Sequence, residues 1–225
     1  MRLPFVRVAW LACLSLLAAC ATPPRSAAEP PASVLLVSID GLRADYLQRG
    51  LTPNLSRIAS EGVRAEWMNP SYPALTFPNH YSIVTGLRPD HHGIIHNSMS
   101  DADLGTFKLS DRDAVGDARW WGGEPIWIGA MKSGQRAATL FWPGSEAPIG
   151  GVHPTYWKPY DETVSYDARV DQVLAWLSEP AATRPRVATL YFDHVDHEGH
   201  DHGPDSPQVR DALAEADKAI GRLVD

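Results

Sequence analysis

The apolar positions of this chain follow two rhythms. Short unbroken runs at 34–39, 136–141 and 187–192 are partly β-branched and are bounded by polar or turn-forming residues. Runs of that length, apolar on both faces, predict buried parallel strands. Residues 63–68 form a fourth strand candidate. Between these runs the spacing changes to three and four. In 165–177, Val170, Val173, Leu174 and Leu177 share one helical face. Beyond Ser206-Pro207, so do Val209, Leu213, Ala216, Ile220 and Leu223. Thr52 caps a further predicted helix, with Pro53 at its first position and Gly62 closing it. Thr76 caps another that ends at Gly86, and 124–132 reads as an apolar helix ending at Gly134. Strands alternating with helices predict an α/β domain, with a mainly parallel sheet covered by helices on both faces. The helical pattern still runs at Asp225 without a closing glycine, so the domain is expected to be incomplete.

The first residues keep a different pattern. Arg2 and Arg7 precede an apolar stretch, Val8 to Ala19, too short to be a stable membrane anchor. That is the plan of a signal peptide over 1–19. Leu17-Ala-Ala-Cys20 resembles a bacterial lipobox, in which the cysteine becomes the lipidated first residue. The Pro- and Ala-rich residues up to Ser33 then form a flexible tether, giving a 20–33 anchor segment. An ordinary signal with an incidental cysteine is the other reading. The expectation is an exported protein of the periplasm or cell envelope, in contact with the membrane only through its lipid anchor.

Cys13 and Cys20 are the only cysteines, so the mature domain has neither disulfide nor thiolate ligand. Any metal must be held by oxygen and imidazole. The chain carries net charge −7, and without Arg2 and Arg7 it has 18 basic residues against 27 acidic. That balance argues against a binder of nucleic-acid duplexes, which needs a basic face. It leaves a phosphate substrate possible, because bound divalent cations reverse the local field.

In open α/β sheets, ligands sit beyond the carboxyl ends of the strands. Asp40 closes the first run there. The stretch Asp196-His-Glu-Gly-His200-Asp-His-Gly203-Pro204 follows the last run, and its glycines predict a tight loop. An aspartate and a histidine four residues apart form half of a metal site. A solvated His-rich loop is the plain alternative. Thr76 at a helix start is more often a cap than a nucleophile, but amides at a helix N-terminus also hold anions, and an ionised hydroxyl there attacks what they hold. Asn97 is an amide donor for a phosphoryl oxygen or simply a turn residue. Phe77, Trp157, Tyr160 and Tyr191 pack in the core or stack on a base.

The run Pro70-Ser-Tyr-Pro-Ala-Leu-Thr76-Phe-Pro-Asn-His-Tyr-Ser-Ile-Val-Thr-Gly86-Leu-Arg-Pro89, followed by His92-Gly-Ile-Ile-His-Asn97-Ser-Met99, resembles the nucleotide pyrophosphatase/phosphodiesterase family of the alkaline phosphatase superfamily. Val37-Ser-Ile-Asp40-Gly41 and the Asp196 to Pro204 stretch match its metal-binding segments. The resemblance extends from Val34 to Asp225. It implies an alkaline phosphatase-like fold and two divalent cations, most simply zinc, with manganese also open. Thr76 is then the nucleophile and a zinc ligand, and Asp40 binds the same ion. Asp196 and His200 bind the second. Asn97 and the Thr76 N–H donate to the phosphoryl oxygen. Phe77 and Tyr160 flank the base, with Tyr191 a further substrate contact. The implied reaction is hydrolysis of nucleotide phosphodiester or pyrophosphate bonds through a phosphothreonine intermediate. The family pattern has further ligands, an Asp-His pair and a later histidine, expected beyond Asp225. With two matched ligands per ion, 225 residues alone are expected to bind metal weakly and to turn over little. Choline-type lipid headgroup diesters are an alternative substrate class. A non-catalytic periplasmic metal-binding lipoprotein is the alternative from outside enzymology; it has no need of Thr76.

Overall fold

The runs at Val34, Ala137 and Val187 pair side by side. The protein is described by a computed structural model over residues 32–225, so the leader, Cys20 and most of the tether lie outside the described residues. Strand β1 (Val34–Ile39) lies parallel to β6 (Val187–Phe192), β6 to β4 (Ala137–Leu140), and β4 to β5 (Tyr156–Lys158), giving the order β1-β6-β4-β5. A separate antiparallel hairpin joins β2 (Ser98–Asp101) to β3 (Gly105–Lys108).

Period-two alternation sends neighbouring side chains of the sheet into two cores. Leu35, Val37 and Ile39 of β1 and Ala138 and Leu140 of β4 face one core. Leu36 and Ala137 face the other. The first core is closed by α6 (Tyr166–Leu177) and α8 (Pro207–Val224), through Val170, Val173, Leu213 and Ala216. The second is closed by α2 (Thr76–Thr85), α5 (Ile126–Lys132) and short helices α3 (Pro89–His92) and α4 (Arg112–Gly116). The fold is the expected α/β arrangement with helices on both faces.

Serine side chains cap both α6 and α8. Ser165 accepts from Ala168 N–H, and Ser206 accepts from Val209 N–H ahead of Pro207. Three expectations fail. Residues 63–68 form no strand; Trp67 and Met68 stand 62% and 70% exposed, with no neighbouring strand to pair. Thr52 precedes α1 (Pro53–Glu61) but makes no capping bond. The buried carboxylate of Asp217 on α8 takes that role, accepting from Asn54 N–H at 3.1 Å and Leu55 N–H at 2.8 Å. A charged acceptor from another helix outcompetes a local hydroxyl there. The third failure is the stretch after β6, which is helix α7 (His194–His202), not a loop. One interior glycine costs a helix only about 1 kcal/mol. The stop comes at Gly203, at φ 84°, where the left-handed region favours glycine.

Candidate active site

The carboxyl edge of the sheet sets the first half of the site. Ile39 pairs with Phe192, and Asp40 N–H donates to Phe192 C=O at 2.8 Å. Asp40 and Asp193 therefore leave the sheet side by side. Gly41 turns the chain at φ 72°, and a Cβ there would sit 2.8 Å from Asp196 Cα. Only glycine permits that approach, which brings the Asp40 turn against the first turn of α7. On α7 the i,i+4 spacing puts Asp196 and His200 on one face, with His200 Nε2 3.4 Å from Asp196 Oδ2. The Tyr191 hydroxyl donates to Asp40 Oδ2 at 2.8 Å.

The second half is the start of α2. Asn79 fastens the proline-rich loop before it: Oδ1 accepts from Ser71 N–H at 2.6 Å, and Nδ2 donates to the carbonyls of Pro73 and Leu75. The helix then begins one residue earlier than a Thr76 cap requires. Leu75 is the cap residue and offers no side-chain bond, and Thr76 occupies the first helical position. The amides of this turn are thus left for other acceptors. Asn97 takes one of them, its Oδ1 accepting from Phe77 N–H at 3.0 Å. That bond leaves the Asn97 NH₂ as the group available to a ligand. His80, buried on α2, ties the two halves together. One ring nitrogen lies 2.7 Å from Thr76 C=O and the other 2.7 Å from Ser38 Oγ on β1.

Both halves open on one cavity of about 950 Å³, lined among others by Thr76, Phe77, Asn97, Tyr160, Tyr191, Asp196 and His200. Asp40 does not line it and stands behind, against Tyr191 and Asp196. Tyr191 is only 6% exposed, and burial together with Asp40 pushes its hydroxyl far up, so it stays a donor to that carboxylate. Trp157 is not part of the lining; it stacks on His153 at 4.3 Å. Phe141, Arg112, Glu146, Lys158 and His197 also line the cavity and were not singled out by sequence. The position of Phe141 just past a strand end was the one available signal. Arg112 pairs with Glu146 at 2.6 Å, while burial holds the Glu146 carboxyl above its ordinary value.

Burial raises the Asp196 carboxyl as well, and the neighbouring Asp40 charge adds to it, against the pull of His200, His197 and His80. Asp40 on one side and His200 on the other thus both bear on the Asp196 carboxylate. Among the described residues no three His, Cys, Asp or Glu side chains are grouped so as to hold a metal ion. The donor set fits a divalent cation nonetheless, because such an ion relieves the repulsion between Asp40 and Asp196.

Residues 34–225 match the family described as type I phosphodiesterase / nucleotide pyrophosphatase. This chain belongs to that family. Among its relatives, ectonucleotide pyrophosphatase/phosphodiesterase family member 3 of Bos taurus is 45% identical over 199 residues, covering 87% of this chain and 22% of its own. A pyrophosphatase/phosphodiesterase of Schizosaccharomyces pombe is 42% identical over 86% of this chain and 40% of its own. The solved structure of murine ectonucleotide pyrophosphatase/phosphodiesterase 5 superimposes with a TM-score of 0.81 at 35% identity, over 86% of this chain and 52% of that one. That structure is of an inactive threonine-to-alanine variant in complex with AMP. The chain thus spans less than half the length of the Bos taurus and Schizosaccharomyces pombe relatives and about half of the murine structure.

Proposed function

We propose that the protein hydrolyses phosphodiester or pyrophosphate bonds of nucleotides, with Thr76 as the nucleophile. One observation carries the reading: an uncapped threonine at a helix N-terminus shares a cavity with an oriented amide and a carboxylate–imidazole pair. The inactive threonine variant and bound AMP of the murine relative point the same way.

The roles follow from position. Phe77 and Tyr160 present aromatic faces to a base. The Asn97 NH₂ and the amides of the first turn of α2 donate to the phosphoryl oxygens as negative charge grows on them. The Thr76 Oγ attacks phosphorus in line and gives up its proton. The leaving alcohol or phosphate departs with the bonding pair, leaving a phosphothreonine diester; water then attacks the same phosphorus, the bond to Thr76 Oγ breaks, and Thr76 regains a proton as the nucleoside monophosphate is released. Asp40, Asp196, His200 and Thr76 would hold two divalent cations, zinc by the nature of the donors. Such ions would supply the positive charge that makes the hydroxyl easier to ionise and balances the phosphoryl oxygens.

Thr76→Ala should lower cleavage of the p-nitrophenyl ester of thymidine 5′-monophosphate by more than about a thousandfold. Calorimetry should still find zinc bound. p-Nitrophenyl phosphate should be a poorer substrate than the diester for the wild type. Diester cleavage that survives the substitution would end the nucleophile assignment.

A further inference from the structure

Beneath the cavity wall lies a buried ion pair with no part in the chemistry above. Arg169 on α6 is 1% exposed and Asp193, just before α7, is 4% exposed; Nη1 and Oδ1 are 3.0 Å apart. A desolvated pair of this kind is retained at a cost unless its remaining lone pairs and protons are used. Here they are used on the aromatic wall. Asp193 Oδ2 accepts a short hydrogen bond from the Tyr160 hydroxyl. The Tyr166 hydroxyl reaches Asp193 Oδ1 and accepts from His194 N–H, the first amide of α7, at 2.6 Å. Arg169 donates to Tyr191 C=O at 3.1 Å and stands 5.0 Å from the Phe141 ring centroid. Phe141 holds φ at 63°, a left-handed backbone that a phenylalanine keeps only when its surroundings enforce it. Its ring meets Tyr160 edge-on at 5.5 Å.

We infer that Asp193 is a positioning residue for base selection: through the Tyr160 hydroxyl it fixes the ring on which the nucleotide base stacks. The inference rests on the nucleotide reading above. A tyrosine held at its hydroxyl, with Phe141 against its edge, cannot swing about its side-chain torsions. It lines the cavity in a fixed position before the ligand arrives, with the Arg112 guanidinium 5.7 Å from its ring centroid, so little ordering is left to be lost on binding. The same carboxylate lies three residues before Asp196. The platform for the base and the arm for the cation therefore share one buried anchor.

Calorimetric titration of AMP and of ribose 5-phosphate, in zinc-containing buffer, separates this role from a general one. The two ligands share the phosphate and the sugar and differ in the base. The wild type should prefer AMP. In Tyr160→Phe, which keeps the ring and removes the tether, AMP affinity should fall roughly fivefold and ribose 5-phosphate affinity by less than about twofold. The melting temperature, measured alongside, should fall by only a few degrees, because Arg169 still pairs with Asp193. An unchanged ratio of the two affinities overturns the inference while leaving the nucleotide reading intact. Equal losses for both ligands also overturn it, in favour of a plain structural role. A wild type indifferent to the base removes the nucleotide reading, and the inference with it.

Discussion

The Asp196 side of the cavity and the Thr76 side are anchored in different ways. The first grows out of β1 and β6, whose backbone ladder runs directly into Asp40 and α7, and beneath it sits a single charged pair, Arg169–Asp193. The second stands on rings. Phe77 meets Phe107 at 5.8 Å and Trp121 at 5.9 Å, Phe107 meets Trp120 at 5.5 Å, and Tyr81 meets Trp121 at 4.9 Å. Buried charge is directional and concentrates its energy in one place, whereas edge-to-face rings spread theirs over many small contacts. The cation arm should accordingly fail at one point and the nucleophile arm should yield by degrees.

The sharpest break is Asp193→Ala. It strands a buried guanidinium, together with the Tyr160 and Tyr166 hydroxyls, and should cost about 3–5 kcal/mol of folding stability. Urea denaturation reads this as a lower midpoint at unchanged slope. A loss below about 1 kcal/mol would mean that the pair is solvated in the folded state, and the contrast between the arms would disappear.

Phe107→Leu probes the other arm and should cost less, about 1–2 kcal/mol, because the leucine refills most of the space and only the ring contacts go. Phe107 is fully buried and touches Phe77, so the same variant should also loosen Phe77 at the cavity. The expected mark is weaker AMP binding together with the modest stability loss. A cost as large as that of Asp193→Ala would show the ring cluster to be as brittle as the ion pair.

The same contrast explains what could be seen in advance. The sheet was legible at Val34 and Val187, because strands covered on both faces must be apolar without interruption. Helices α6 and α8 were legible because their apolar positions recur on one face, with Ser206-Pro207 marking the start of α8. Asp40, Thr76, Asn97, Asp196 and His200 stood out through their motifs, and all but Asp40 line one cavity. What stayed hidden depends on partners far away in the chain. Asp217 caps α1 across 163 residues, and Glu146 meets Arg112 at the cavity across 34. The hairpin β2–β3 is mostly exposed, with Phe107 its one buried side chain, so it carries little alternation to read. Helix α7 was misread because Gly199 and Gly203 look alike in sequence, although only Gly203 needs a left-handed backbone.

The finest test uses protons, and it moves the two arms in opposite directions. On the nucleophile arm His92 is fully buried. Its Nδ1 accepts from Ile94 N–H at 3.2 Å and its Nε2 lies 3.0 Å from Ser82 Oγ, an arrangement that suits the neutral ring. Burial lowers its folded pKa despite the nearby Asp90. Below the ordinary value of 6.5 the unfolded chain therefore binds this proton first, and stability drains away as pH falls. On the cation arm His194 touches Glu215 at 2.9 Å and Glu198 at 3.0 Å. Burial pulls its pKa down, but the two carboxylates together outweigh that and raise it. Its contribution is fully present below the unfolded value and is lost as pH rises through the folded one; exposure to solvent keeps it small. Between pH 7.5 and 5.5, hydrogen exchange corrected for intrinsic rates should show protection falling in α2 and α3 and holding or rising in α7. His92→Gln should flatten the first response and leave the second alone. Protection that falls equally in both arms would mean that the whole domain titrates as one unit, and that the difference between charge and rings does not reach the level of local stability.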